Sequence, residues 1–200
     1  MRTEVLNAAN SEHLARVAAL LRAGRLVAFP TETVYGLGAR ADDARAVAEL
    51  RSIKGRPDDK PFALLIADPT DMERCAAPGR AARRLASAFW PGPLTLVVAD
   101  GKGGDVGLRC PALEAARELV RLCGAPVAAP SANLSGRPPA RSAQEVLSVF
   151  EGRIAAVLDG GEVGAGLAST VVRAIWETVE ILRPGALAEE DIMRALEEEG

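Results

Sequence analysis

Leu26-Val27-Ala28-Phe29-Pro30-Thr31-Glu32-Thr33-Val34-Tyr35-Gly36-Leu37-Gly38 is the stretch where an apolar run gives way abruptly to polar groups. The run ending at Phe29 reads as a buried strand leaving the core. Pro30 cannot donate to a ladder, so regular pairing should weaken there. Two hydroxyls, a carboxylate and a phenol follow at Thr31, Thr33, Glu32 and Tyr35, and Gly36 and Gly38 leave room for close backbone approach or positive φ. Polar groups packed at the mouth of a buried strand suit a small-molecule site. Taken alone, a Thr-Glu-Thr better suits a strand-to-helix connection whose hydroxyls cap backbone groups, and the remainder of the chain shifts that balance.

Before this stretch, Leu14, Val17, Ala18 and Leu21 keep the helical period behind Asn10 or Ser11, and Gly24 ends the helix. After it, Asp42 or Asp43 starts a helix carrying Val47, Leu50 and Ile53, which runs into Lys54-Gly55-Arg56-Pro57-Asp58-Asp59-Lys60-Pro61. Gly55 and the prolines argue that this basic segment is a loop. Strands are expected at residues 62–66, 94–98, 106–110, 126–129, 155–158, 171–172 and 179–182, and helices at 76–90, 114–123, 142–150 and 189–199. The alternation, with hairpin-like neighbours at 94–110 and 170–183, argues one α/β domain over residues 1–200. Its twisted sheet should be mixed and flanked by helices, with a ligand cleft at strand ends.

The charge balance narrows the partners. Lys and Arg number 24 against 27 Asp and Glu, for a net charge of −3, so nothing global draws the chain to nucleic acid or an anionic membrane. Any phosphate recognition must be local. Cys75, Cys110 and Cys123 lack Cys-x-x-Cys spacing and read as free thiols of a reducing cytoplasm. His13 is the only histidine, which leaves no His-based triad or metal site and suggests a surface or capping role. No apolar run approaches membrane-spanning length, so a cytoplasmic protein is expected.

There is no Gly-x-x-x-x-Gly-Lys-Ser/Thr loop, so phosphates would be held some other way. Lys54, Arg56 and Lys60, on a stretch kept out of helix, could surround a polyphosphate or form a solvated loop neutralised by Asp58 and Asp59. Arg109 sits inside a strand, where it needs either a solvated face or an anion, a substrate carboxylate being one candidate. Ser131, Asn133, Ser169 and Arg183 also fall at or near strand ends, where α/β sheets gather their ligands.

Pro30-Thr31-Glu32-Thr33-Val34-Tyr35-Gly36-Leu37-Gly38, Lys54-Gly55-Arg56-Pro57, Pro91-Gly92-Pro93-Leu94-Thr95, Leu108-Arg109-Cys110-Pro111, Ser131-Ala132-Asn133-Leu134-Ser135-Gly136, Ser169-Thr170-Val171-Val172 and Arg183-Pro184-Gly185 together resemble the YrdC/Sua5/TsaC family. These are L-threonylcarbamoyladenylate synthases of tRNA modification. The resemblance implies a YrdC-like domain of the short branch, without the C-terminal Sua5 domain, that turns L-threonine, bicarbonate and ATP into threonylcarbamoyl-AMP and pyrophosphate. By motif match, Thr33, Arg109, Ala129 and Ser169 would hold threonine. Lys54, Arg56, Lys60, Ser131, Asn133 and Arg183 would hold ATP, with Lys54 and Arg56 catalytic. Mg²⁺ would arrive with the nucleotide, and a TsaD/Kae1-type transferase would accept the product, with tRNA met only indirectly. Pro139 and Leu65 stand where many members carry serine and some histidine. The competing reading is a non-catalytic protein of the YrdC/YciO type that binds double-stranded RNA or aids ribosome maturation.

Overall fold

The computed structural model describes residues 2–55, 61–164 and 166–197. After β1 (Glu4–Asn7), Asn10 caps α1 (Ser11–Arg22), its side chain accepting from the N–H groups of Glu12 and His13. His13 is a capping-region residue as expected, and its Nδ1 accepts from the Asn7 N–H at 2.9 Å. Then come β2 (Val27–Phe29), β3 (Gly36–Arg40) and α2 (Ala44–Lys54). Asp43 caps α2, and Gly55 ends it with φ at 60°. β4 (Leu64–Leu65), α3 (Met72–Cys75), α4 (Arg80–Phe89), β5 (Leu94–Ala99), β6 (Asp105–Arg109) and α5 (Glu114–Cys123) follow. The chain continues through β7 (Val127–Ala128), α6 (Ala143–Phe150), β8 (Ala156–Asp159), β9 (Thr170–Ile175), β10 (Thr178–Arg183) and α7 (Glu189–Glu197).

Among the described residues the strands form one mixed sheet in the order β1-β8-β2-β3-β7-β4-β6-β5-β9-β10. The expected hairpins are there, β5 antiparallel to β6 and β9 antiparallel to β10. β3 joins the two halves, pairing with β2 through Gly36–Gly38 and with β7 through Ala39 and Arg40. In the first half both faces are covered. Val27, Phe29, Ala156 and Leu158 pack toward α1 and α5, while Ala28, Leu37, Ala39 and Val157 pack toward α2 and α6. In the second half only one face is covered: Leu94, Leu96, Val98, Leu108, Val172 and Ala174 pack with α4 and α7. The alternate residues of those strands line an open cavity.

The structure corrects several expectations. No strand was expected at residues 36–38, yet they open β3. The Phe29 ring explains why glycine is needed there, since a Cβ on Gly38 would stand 2.7 Å from Phe29 Cε1 and 3.1 Å from Val127 Cγ1. The helix expected at 76–90 starts at Arg80, because Pro78 disfavours helix before it and the Ala77 N–H donates to Ala99 O at 2.9 Å. β1, with alternating partial burial and edge exposure, gave no periodic signal strong enough to expect. Lys54 is the buried last residue of α2 rather than a loop cation. Of the described helices, none is long and apolar enough to cross a membrane.

Gly38→Ala should destabilise the protein by about 1–3 kcal/mol, the usual range for overpacking a filled core. Urea unfolding checks this, and adding Phe29→Leu should recover part of the loss. Gly38→Ala as stable as the parent would contradict the assigned contact.

Candidate active site

The open face of β4, β5, β6, β9 and β10 forms the floor of a cavity of about 410 Å³, and residues of the 30–36 turn and of the 129–131 segment form its wall. Strand alternation selects the floor residues: Thr95 and Val97 from β5, Gly107 and Arg109 from β6, Val171 and Arg173 from β9. β10 needs an additional device. Its register shifts between Ile181 and Arg183, so that Ile181 opposes Val172 and Arg183 opposes Val171. The extra residue turns Arg183 from the α4–α7 side to the cavity side.

Arg109 is the buried cation of the floor. Its Nη2 donates to Glu32 Oε1 at 2.8 Å and to Thr33 Oγ1 at 2.9 Å, and its Nε donates to Gly92 O at 3.4 Å. Thr31 Oγ1 donates its one proton to Val34 O at 2.7 Å, so the 2.8 Å bond between the two hydroxyls must run from Thr33 to Thr31. The turn after β2 is therefore a directed chain from Arg109 through Thr33 and Thr31 to the backbone. For Glu32, burial alone would raise the pKa, but the charge and hydrogen bond of Arg109 outweigh it, with help from the Ala112 N–H, and hold the carboxyl below its ordinary value. At neutral pH the pair is ionic.

Ser169 and Arg183 meet on the same floor. Arg183 Nη2 donates to Ser169 O at 2.7 Å and to Ser169 Oγ at 3.2 Å, and Ser169 Oγ shares a 2.8 Å hydrogen bond with Thr95 Oγ1. Nearby, Arg173 is paired with Asp105 at 3.1 Å. Opposite, Ser131 lies beside Gly36 in a bridge, and its hydroxyl donates to Asn133 Oδ1 at 2.5 Å. Asn133 Nδ2 reaches Leu134 O and Arg137 O, which holds the 133–137 turn. Beneath this loop the Lys54 ammonium donates to Ser131 O and to Asn133 O, the latter at 2.8 Å.

Five of the expected residues, Arg109, Ala129, Ser131, Ser169 and Arg183, thus line a single cavity. Thr33 reaches it through Arg109, while Lys54 and Asn133 stand behind the Ser131 wall. Arg56 and Lys60 lie outside the described residues. Two participants stand in the sequence motifs but were given no place in the site. Glu32 supplies the anion that an in-strand arginine demanded, and Thr95 is the polar residue at an alternate position of an otherwise apolar strand. Leu65 adds apolar floor. The neighbouring Cys110 points into the core, and burial pushes its thiol up to about 12, so it offers no thiolate.

Such a cavity can hold a carboxylate and phosphates by fixed donors, with hydroxyls between them. Among the described residues no group of three or more His, Cys, Asp or Glu could cage a metal ion. The Asp105 carboxylate, also on the cavity lining, is already paired with Arg173.

Because Glu32 titrates below its ordinary value when folded, its contribution to stability is complete above the unfolded pKa and is lost as pH falls through the folded one. The stability gap between the parent and Glu32→Gln should therefore be largest near neutrality and shrink below about pH 4. Urea midpoints across pH 3–7 measure it, and a gap that widens in acid would contradict the ionic pair.

The profile of the family Sua5/yciO/yrdC, described as "Telomere recombination", matches residues 19–185. The chain is 42% identical over 194 residues to the threonylcarbamoyl-AMP synthase of Bacillus subtilis, covering 92% of this chain and 56% of that protein. It is 39% identical over 208 residues to a putative threonylcarbamoyl-AMP synthase of Mycobacterium tuberculosis, covering 97% and 95%. The structure of Sua5 from Pyrococcus abyssi complexed with L-threonine superposes with a TM-score of 0.92 at 41% identity, over 98% of this chain and 62% of that one. The chain thus spans little more than half of the Bacillus relative but nearly all of the mycobacterial one. With the profile covering residues 19–185 and relatives of 39–42% identity covering more than nine-tenths of this chain, the chain belongs to the Sua5/YciO/YrdC family.

Proposed function

We propose that this chain is a threonylcarbamoyl-AMP synthase, a nucleotidyltransferase using L-threonine, bicarbonate and ATP. The observation that carries the proposal is the gathering of Arg109, Ser169 and Arg183 on one cavity floor, with Thr33 held against Arg109. A relative from Bacillus subtilis bears that enzyme name, and the Pyrococcus structure of the same fold was solved with L-threonine.

In this reading the threonine amine and bicarbonate form a carbamate with loss of water. A carbamate oxygen then attacks the α-phosphorus of ATP, the bond from that phosphorus to the β-phosphate oxygen breaks, and pyrophosphate leaves. Such a transfer depends on alignment and on cations at the phosphates more than on a histidine base. Arg109 takes the threonine carboxylate, with Ser169 and the Ala129 backbone nearby. Arg183 and Ser131 face the nucleotide, Asn133 orients the Ser131 hydroxyl from behind, and Arg56 and Lys60 would take the phosphates. Lys54 acts by fixing the carbonyls of Ser131 and Asn133, and so sets where that loop meets ATP. Mg²⁺ entering with ATP would be held mainly by phosphate oxygens and water and would supply charge neutralisation there. The product would pass to a TsaD/Kae1-type transferase for t6A modification of tRNA.

Pyrophosphate release from ATP should require both L-threonine and bicarbonate. Absence of release from folded protein, together with salt-sensitive retention of RNA, would favour the RNA-binding alternative instead. Arg109→Ala should raise the threonine requirement at least about tenfold while leaving ATP binding nearly intact, as expected for losing a charge-assisted hydrogen bond. Arg56→Ala should weaken nucleotide use. Equal loss of both substrates in both variants would break this division of labour.

A further inference from the structure

Arg109 enters the cavity already paired. Nη2 is committed to Glu32 and Thr33, and Nε to Gly92 O, so Nη1 is the edge left for the cavity whose floor Arg109 forms. The Arg109 side chain is 9% exposed and that of Glu32 21%, and of the two only Arg109 lines the cavity. Glu32 therefore need not move for an anion to dock. It can act on a bound ligand only through Arg109 and through its own field.

That field has a consequence for selectivity. A lone buried guanidinium would draw any small carboxylate. With an anion 2.8 Å away, most of its attraction is cancelled inside the cavity, and a bare anion gains little by entering. A zwitterion fares differently. It carries no net charge, so cancelling the field costs it little, and its carboxylate still takes the directional N–H groups of Nη1.

We infer that Glu32 is a positioning and specificity-determining residue, which neutralises Arg109 so that its subsite takes a zwitterionic amino acid in preference to a plain carboxylate. This rests on the reading of Arg109 as the amino-acid subsite. The charge of Glu32 does the sorting and its reach does the positioning, so the two are separable by substitution.

The test is calorimetric binding of L-threonine and of 3-hydroxybutyrate, the same skeleton without the amine, to the parent, Glu32→Gln and Glu32→Asp. The parent should prefer threonine. In Glu32→Gln, which keeps the shape and a hydrogen-bonding oxygen but not the charge, 3-hydroxybutyrate should tighten about tenfold while threonine changes little, so the preference collapses. Glu32→Asp should weaken both ligands but keep the preference. An unchanged ratio in Glu32→Gln, in a parent that binds threonine and releases pyrophosphate, overturns the role of Glu32 alone. A parent that binds neither ligand overturns the amino-acid subsite itself, and the inference with it.

Discussion

The sheet is continuous because one glycine lies beneath one phenylalanine. The Phe29 ring crosses the sheet face where a side chain at 38 would stand, its Cε1 2.7 Å from the place of that Cβ, and β3 pairs with β2 across that position because none is there. From that pairing the rest of the architecture is positioned. β3 goes on to β7, the Leu37 N–H takes Pro130 O at 2.8 Å, and the Ala132 N–H takes Tyr35 O at 2.7 Å. The turn that carries Thr31, Glu32 and Thr33 is thereby held against the segment that carries Ser131. Tyr35 extends the same support, its hydroxyl donating to Gly161 O and accepting from the Gly160 N–H.

The cations of the cavity are fixed before any ligand arrives. Arg109 rests on Glu32 and Thr33, Arg173 on Asp105, and Arg183 on Ser169. Lys54 is tied to carbonyls of the opposite wall. Long side chains held this way lose less freedom on binding than mobile ones, which is the physical sense of preorganisation. The cost is charge balance, since every such anchor that is an anion also dilutes the field its cation projects.

Helices with a clear apolar period and a cap were legible in the sequence, as α1, α2 and α5 show. So were the strands rich in β-branched and leucine residues, β5 and β9. What was hidden had one common cause, that its signal lay in a partner distant along the chain. Residues 36–38 look like a loop until the ring of Phe29 and the side chain of Val127 are placed against them. Lys54 looks like a phosphate ligand until its carbonyl partners, some eighty residues on, come into view. Arg109 was recognisable as a cation needing an anion, but the choice between a substrate and Glu32 belonged to the fold. The bulge in β10 is likewise invisible in a run of ordinary strand residues, although it decides which way Arg183 faces.

The asymmetry between the halves of the sheet gives the cavity a second meaning. On one half, helices close both faces; on the other, Val97, Val171 and Leu65 remain at the floor of an open cavity. A layered α/β architecture ordinarily fills such a face with its own chain. Here a bound molecule would be the missing layer, with its apolar parts lying where a helix would otherwise pack and its charged ends on the arginines. Ligand and scaffold would then share a hydrophobic core, so that occupancy would tighten the half of the sheet with least covering of its own.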